Sequence, residues 1–204
     1  MEELAKLLGG EHKVRLLRLF LNNPQTPLQP ADIAKRIKVP VTKLRRELNL
    51  FSSIKLIIPK ETKIISPGKK KRRKPKRIVS FTLNTKFPLN GSLRALLFGE
   101  ELFRKDEIVN WFKNAGKLKL IIVSGIFMGR EDSRVDLLLV GDRLNRPSIE
   151  AALRGMEAEI GKELSYAVLE TKEFTYRMGI YDRFISDILD FPHEKVLNKL
   201  DLED

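Results

Sequence analysis

Apolar positions recur at helical spacing through the first fifty residues. Residues 11–22 place Val14, Leu17 and Leu21 at i, i+3 and i+7, with Leu16, Leu19 and Phe20 widening the face. That period predicts an amphipathic helix. A short helix over 4–8 precedes it and ends at Gly9-Gly10, and a loop over 22–29 with two prolines follows. Pro30 suits the first turn of a second short helix, whose small apolar face is Ala31, Ile33, Ala34 and Ile37. After a tight connection at Lys38-Val39, residues 40–53 predict a third helix with Val41, Leu44, Leu48 and Phe51 turned inward. The period then changes to two. Residues 54–58 are rich in β-branched side chains and stop at Pro59. Residues 78–83 alternate, Ile78, Ser80 and Thr82 against Val79, Phe81 and Leu83. Two strands joined through Pro67-Gly68 predict a hairpin.

Turn residues at 84–88 and at Asn90-Gly91 mark a boundary. Helices are expected over 92–98 and 100–114, the second with Ile108, Trp111 and Phe112 inward. Strand and helix then alternate. A strand over 118–123, a glycine-bearing loop over 124–133 and a strand over 134–140 lead through a turn to a helix over 147–160. Ile149, Leu153, Met156 and Ile160 form one face of that helix. A strand over 164–169 and short helices over 173–177 and 182–189 complete the pattern, stopped by Phe191-Pro192. The fold class is α+β: an N-terminal domain over 1–85, a helical connector over 86–116, and an α/β domain over 117–204 with a small mixed sheet.

Composition narrows the functions this layout serves. The chain has no cysteine, and its two histidines, His12 and His193, fall in no ligand-spaced motif, so no metal or other cofactor is expected. The longest apolar runs, 118–122 and 135–140, fall far short of the roughly 20 residues that cross a bilayer. No signal-peptide pattern opens the chain, so a cytoplasmic protein without membrane partners is the expectation.

Charge changes the picture most. The net charge is +12, but residues 1–100 hold 23 Lys+Arg against 7 Asp+Glu, a net of +16, while residues 101–204 hold 16 against 20, a net of −4. A polyanion is therefore the expected partner of the first half. Its charge peaks at 69–77, where Lys69, Lys70, Lys71, Arg72, Arg73, Lys74, Lys76 and Arg77 surround one proline. Such a run stays in solvent or against an anion, since burial of each unpaired charge costs several kcal/mol. Its place between two strands puts it at a hairpin tip. On the third helix, Thr42, Lys43, Arg45, Arg46 and Asn49 fall between the inward positions and are of the types that reach phosphates and base edges.

Helix, helix, helix, strand, long turn, strand, with Ala31-Asp32-Ile33-Ala34-Lys35, Lys43-Leu44-Arg45-Arg46-Glu47-Leu48 and Ile57-Ile58 at matching places, resembles the winged-helix transcriptional regulators of bacteria and archaea. The resemblance implies that 40–53 is a recognition helix, that 69–77 is a basic wing, and that duplex DNA is the partner. It also implies a homodimer, since such regulators often read paired half-sites.

The second half carries a different resemblance. A strand, the loop Ser124-Gly125-Ile126-Phe127, then Ser133-Arg134-Val135-Asp136-Leu137-Leu138 is similar to the minimal nucleotidyltransferase fold. That family places a Gly-Ser pair after its first strand and two aspartates one residue apart on the next. Carboxylates at i and i+2 share one face and hold Mg²⁺ against nucleotide phosphates. Here Arg134 stands at the first aspartate position, the Gly-Ser order is lost, and the third strand contains no carboxylate, Glu170 lying just past its end. The resemblance thus implies an inactive relative. Asp136 is expected to pair with Arg134 or to accept backbone N–H bonds from the loop. Ser124, Gly125, Gly129, Arg130, Arg134 and Asp136 remain candidates for a pocket holding a nucleotide or another phosphate.

The leading expectation is a DNA-binding transcriptional regulator whose second domain serves in sensing or dimerisation. Two alternatives stand beside it. One is an active Mg²⁺-dependent nucleotidyltransferase carried on a nucleic-acid-binding module. The other is an RNA-binding protein.

Overall fold

The computed structural model describes residues 2–64, 76–98, 103–130 and 132–203. Among the described residues the chain is a mixed α/β protein with two small sheets, one of two strands and one of four. It divides into two compact units, the first comprising 1–97 with 158–162, the second 98–157 with 163–204.

The first unit opens with α1 (Glu2–Leu8), α2 (Glu11–Asn22), α3 (Pro30–Arg36) and α4 (Val41–Ser53). Gly9, at φ 80, closes α1 as the Gly10 N–H reaches Ala5 O at 2.6 Å. The periodic residues of α2 are buried as expected, Leu16 and Leu19 completely. Arg18 is buried too, at 2% exposure, which its position in an amphipathic pattern did not announce. Its guanidinium donates to Leu97 O at 3.2 and 2.9 Å, and burial lowers its pKa.

Two antiparallel strands follow, β1 (Ile57–Ile64) and β2 (Lys76–Leu83), in register from Ile57↔Leu83 to Ile64↔Lys76. The expected strand start at Ile54 is displaced. Ile54 and Lys55 instead end α4: Lys55 takes φ 60, its N–H reaches Ser52 O, and the Leu56 N–H reaches Phe51 O at 2.9 Å. This is a Schellman cap with its apolar pair, Leu56 and Phe51, both buried. The strand also runs on through Pro59, whose missing N–H is tolerated on one edge of a short ladder. Leu28, in the loop between α2 and α3, bridges Phe81 antiparallel on the other side of β2, with N–H···O bonds of 2.9 and 2.8 Å.

The chain continues through α5 (Asn90–Phe98) to α6 (Lys105–Trp111). A helix from residue 100 was expected, but residues 99–102 lie outside those described, and α6 begins where the Arg104 N–H is capped by Glu107 at 3.2 Å. The second unit's sheet has the order β5-β4-β3-β6. Its strands are β3 (Lys117–Val123), β4 (Leu137–Asp142), β5 (Tyr166–Glu170) and β6 (Glu194–Asn198), so that Glu170, expected just past its strand, is paired with Gly141 as the last residue of β5. β4 runs antiparallel to β3 and parallel to β5, joined to the latter through α7 (Arg146–Ile160), as a parallel pair requires a crossover. β6, unforeseen from the sequence, pairs antiparallel with β3. Between β5 and β6 lie α8 (Thr171–Gly179) and α9 (Arg183–Asp190). Leu120 and Ile122 of β3 join Leu138 and Val140 of β4 and Phe174, Ile185 and Ile188 of these helices in one apolar cluster. No helix among the described residues is long and apolar enough to cross a membrane.

Candidate functional site

The exposed face of α4 is fixed by what its other face buries. Leu44, Leu48 and Phe51 are buried. Val41, expected inward, is 37% exposed, and its place is taken by Glu47. That carboxylate is 7% exposed, with His12 Nε2 at 3.5 Å and Lys13 Nζ at 3.7 Å. The aliphatic stem of a glutamate can lie on apolar neighbours while its head meets cations, which is why a charged residue holds an inward position.

At 3.6 residues per turn, Thr42, Arg46 and Asn49 then form the ridge opposite the buried side, flanked by Lys43 and Arg45. All five are exposed, and their side chains make no hydrogen bond or ion pair among the described residues. The turn into α4 is short. Ile37 caps α3, Lys38 takes φ 54, and the Val39 N–H closes on Ala34 O at 3.0 Å. Lys35, Arg36 and Lys38 are exposed beside that turn and add positive charge to the same unit.

The hairpin carries the remaining basic candidates. Lys69, Lys70, Lys71, Arg72, Arg73 and Lys74 lie outside the described residues, in the connection from Ile64 to Lys76. Lys76 and Arg77 belong to the β2 ladder, opposite Ile64 and Lys63.

In the second unit the glycine loop closes on itself. The Gly125 N–H binds Ser133 Oγ at 3.0 Å, Ile126 N–H binds Asp136 Oδ1 at 2.9 Å, and Phe127 N–H binds Ser124 O at 3.1 Å. Gly129 N–H reaches Ile126 O and Arg130 N–H reaches Gly125 O. Ser124 is buried and its hydroxyl donates to Val135 O. Of the two partners open to Asp136, the structure has the backbone: Oδ1 takes Ile126 N–H, and Oδ2 takes Ser165 N–H at 2.9 Å. Arg134 turns elsewhere, its Nε 2.7 Å from Asp187 Oδ2.

Arg134 and Asp136 are also not strand neighbours, since β4 starts only at Leu137. Asp136 N–H and Leu137 N–H both bind Ser165 O and bend the chain there. Arg130 forms a fork on Asp132 at 3.0 and 2.8 Å, a contact that raises the guanidinium pKa and lowers that of the carboxyl. A divalent-cation pair needs carboxylate oxygens turned toward it. Here both oxygens of Asp136 are held by amides and position 134 supplies an arginine turned to Asp187 instead of a second carboxylate, so the donor set does not fit such a pair.

Comparison with known proteins finds no matching family model, no similar curated protein and no similar solved structure.

Proposed function

We propose that the protein is a DNA-binding transcriptional regulator whose first unit is a winged helix. The observation that carries the reading is the ridge Thr42–Arg46–Asn49, solvent-facing and without hydrogen-bond or ion-pair partners among the described residues, on a helix that follows a second helix through a tight turn. The Leu28–Phe81 bridge supports it, because a short extended segment before α3 pairs with the hairpin as it does in a winged helix. In this reading the ridge meets base edges in the major groove and Lys43 and Arg45 meet phosphates. The basic run at 69–77 adds affinity through phosphates beside them. A homodimer on paired half-sites is part of the proposal.

The second unit, with β3, β4, α7 and β5 in the order of a minimal nucleotidyltransferase, has a sensing or pairing role in this reading. Its loop amides are donated within the chain, which weighs against turnover of a nucleotide at Asp136. Gel shifts on duplex DNA and on structured RNA, each at two salt concentrations, test the proposal. Preferential binding of one duplex sequence, lost in Arg46→Ala and Asn49→Ala, supports it. Tighter binding of RNA at both salts overturns it.

A further inference from the structure

A cavity of about 350 Å³ opens in the second unit between α6, β3 and β6. Its floor is Val109, Phe112, Leu118, Ile121 and Leu197, and its rim carries Lys113, Lys117 and Lys199.

The cavity has a specific structural origin. Strict alternation along β3 would put Leu118 and Ile121 on opposite faces. The ladder to β4 skips Lys119, passing from Leu118↔Gly141 to Leu120↔Val140, and this bulge turns Leu118 onto the face of Ile121. On the other side, the ladder to β6 skips Val196, and Leu197 stands opposite Ile121. Leu120 and Ile122 meanwhile point into the core on the far face. The rim is held as tightly. Gly116 has φ 108, and a Cβ there would stand 2.5 Å from Arg143 O.

The charges are one-sided. None of the three lysine side chains makes a hydrogen bond or ion pair among the described residues. The nearby Lys119 is already taken by Asp142 at 2.8 Å, and Lys117 contributes only a more distant attraction to that same carboxylate. Lys113 and Lys199, without such partners among the described residues, flank an apolar floor in a half of the chain that is net acidic.

We propose that this cavity binds a small organic anion with an apolar body, its carboxylate or phosphate group held by Lys113 and Lys199 and its hydrocarbon against Phe112, Leu118 and Leu197. The volume is in the range of small-ligand pockets, which combine apolar walls with a few polar groups that set orientation. The inference does not rest on the DNA-binding reading, and it stands or falls by itself.

The test is titration of the full chain with decanoate below its micellar concentration, with decyl phosphate and with decanol, followed by amide NMR. Saturable movement of the Gly116 amide by an anion, with Gly129 unmoved, is the expected result. Decanol is expected to bind more weakly, and Lys113→Gln/Lys199→Gln to lose about tenfold in affinity, the sum of two exposed charge contacts. Both lysines are exposed, so the unfolding midpoint of that variant should stay in place. A second variant, Leu197→Trp, fills the floor and should abolish binding of all probes. Decanoate against decyl phosphate tells which head group is preferred. No saturable shift at Gly116, equal binding of decanol, or undiminished affinity in the double lysine variant each overturns the proposal.

Discussion

A Cβ on Gly125 would stand 2.2 Å from Oδ1 of Asp136. The loop and the carboxylate are therefore built around each other: Gly125 at φ 55 lets the chain turn, and Asp136 ties down the next amide and that of Ser165. Gly125→Ala should cost roughly 3 kcal/mol, about 1 from the left-handed backbone and the rest from displacing the carboxylate. Asp136→Asn should cost about 1.5–3 kcal/mol, because an amide NH₂ then faces a backbone donor. Urea unfolding measures both. If Asp136→Asn unfolds at the wild-type midpoint, the carboxylate is not a clamp, and a chemical role for it regains weight.

Trp111 packs against Gly155 of α7, where a Cβ would meet the indole at 2.2 Å. Gly155→Ala gains helix propensity yet should lose about 1–3 kcal/mol through overpacking. The double variant Gly155→Ala/Trp111→Leu should be less destabilised than the sum of its parts, since the clash is gone. Additive losses in thermal unfolding would separate the two residues energetically.

The Asp142 carboxyl is held below its ordinary value of 3.8, first by its hydrogen bond from Lys119. Its folded pKa is depressed, so its contribution to stability is present above the unfolded value and is lost as pH falls through the folded one. The window lies below about pH 4. Lys119→Met should move the carboxyl titration upward, read by carbon-detected NMR. An unchanged titration would mean that the ion pair does not set this pKa.

Neutralising the basic residues between 69 and 77 should weaken binding to every duplex about equally and flatten the salt slope. Each phosphate that the variant no longer neutralises takes about 0.9 from the slope of log K against log salt. Fluorescence anisotropy on two unrelated duplexes at several salt concentrations reads this. A changed preference between the two duplexes would mean that the run reads bases and that α4 does not carry sequence choice alone.

The sequence showed best what long periods control. Residues 11–22 and 147–160 gave helices with the expected buried faces, because several apolar positions agree on one side. Single-residue devices were hidden. Lys55 in the left-handed region pushes β1 later than its apolar run suggests, and Leu28 pairs with Phe81 as one isolated residue. β6 was missed because Glu194–Asn198 is short, mostly half-buried and mixed in polarity, so only its pairing with β3 makes it a strand. The cavity rim at Lys113 and Lys199 had no motif either, since its members follow α6 and β6, far apart in the sequence. The outer ridge of α4 was legible because most of its inward neighbours were; Glu47, inward but charged, and Val41, apolar but exposed, were the exceptions.

The bridge from Leu28 to Phe81 ties the loop between α2 and α3 to β2 by a reciprocal pair of backbone bonds. The base of the hairpin at Phe81 is thereby coupled to the helices: releasing β2 there also frees the segment that delivers α3. The opening free energy at the Phe81 amide should accordingly match that of the whole first unit, and hydrogen exchange there becomes a gauge of the unit's cooperativity. A protein built this way passes load between its hairpin and its helix turn through main-chain contacts, which side-chain substitution on the surface leaves intact.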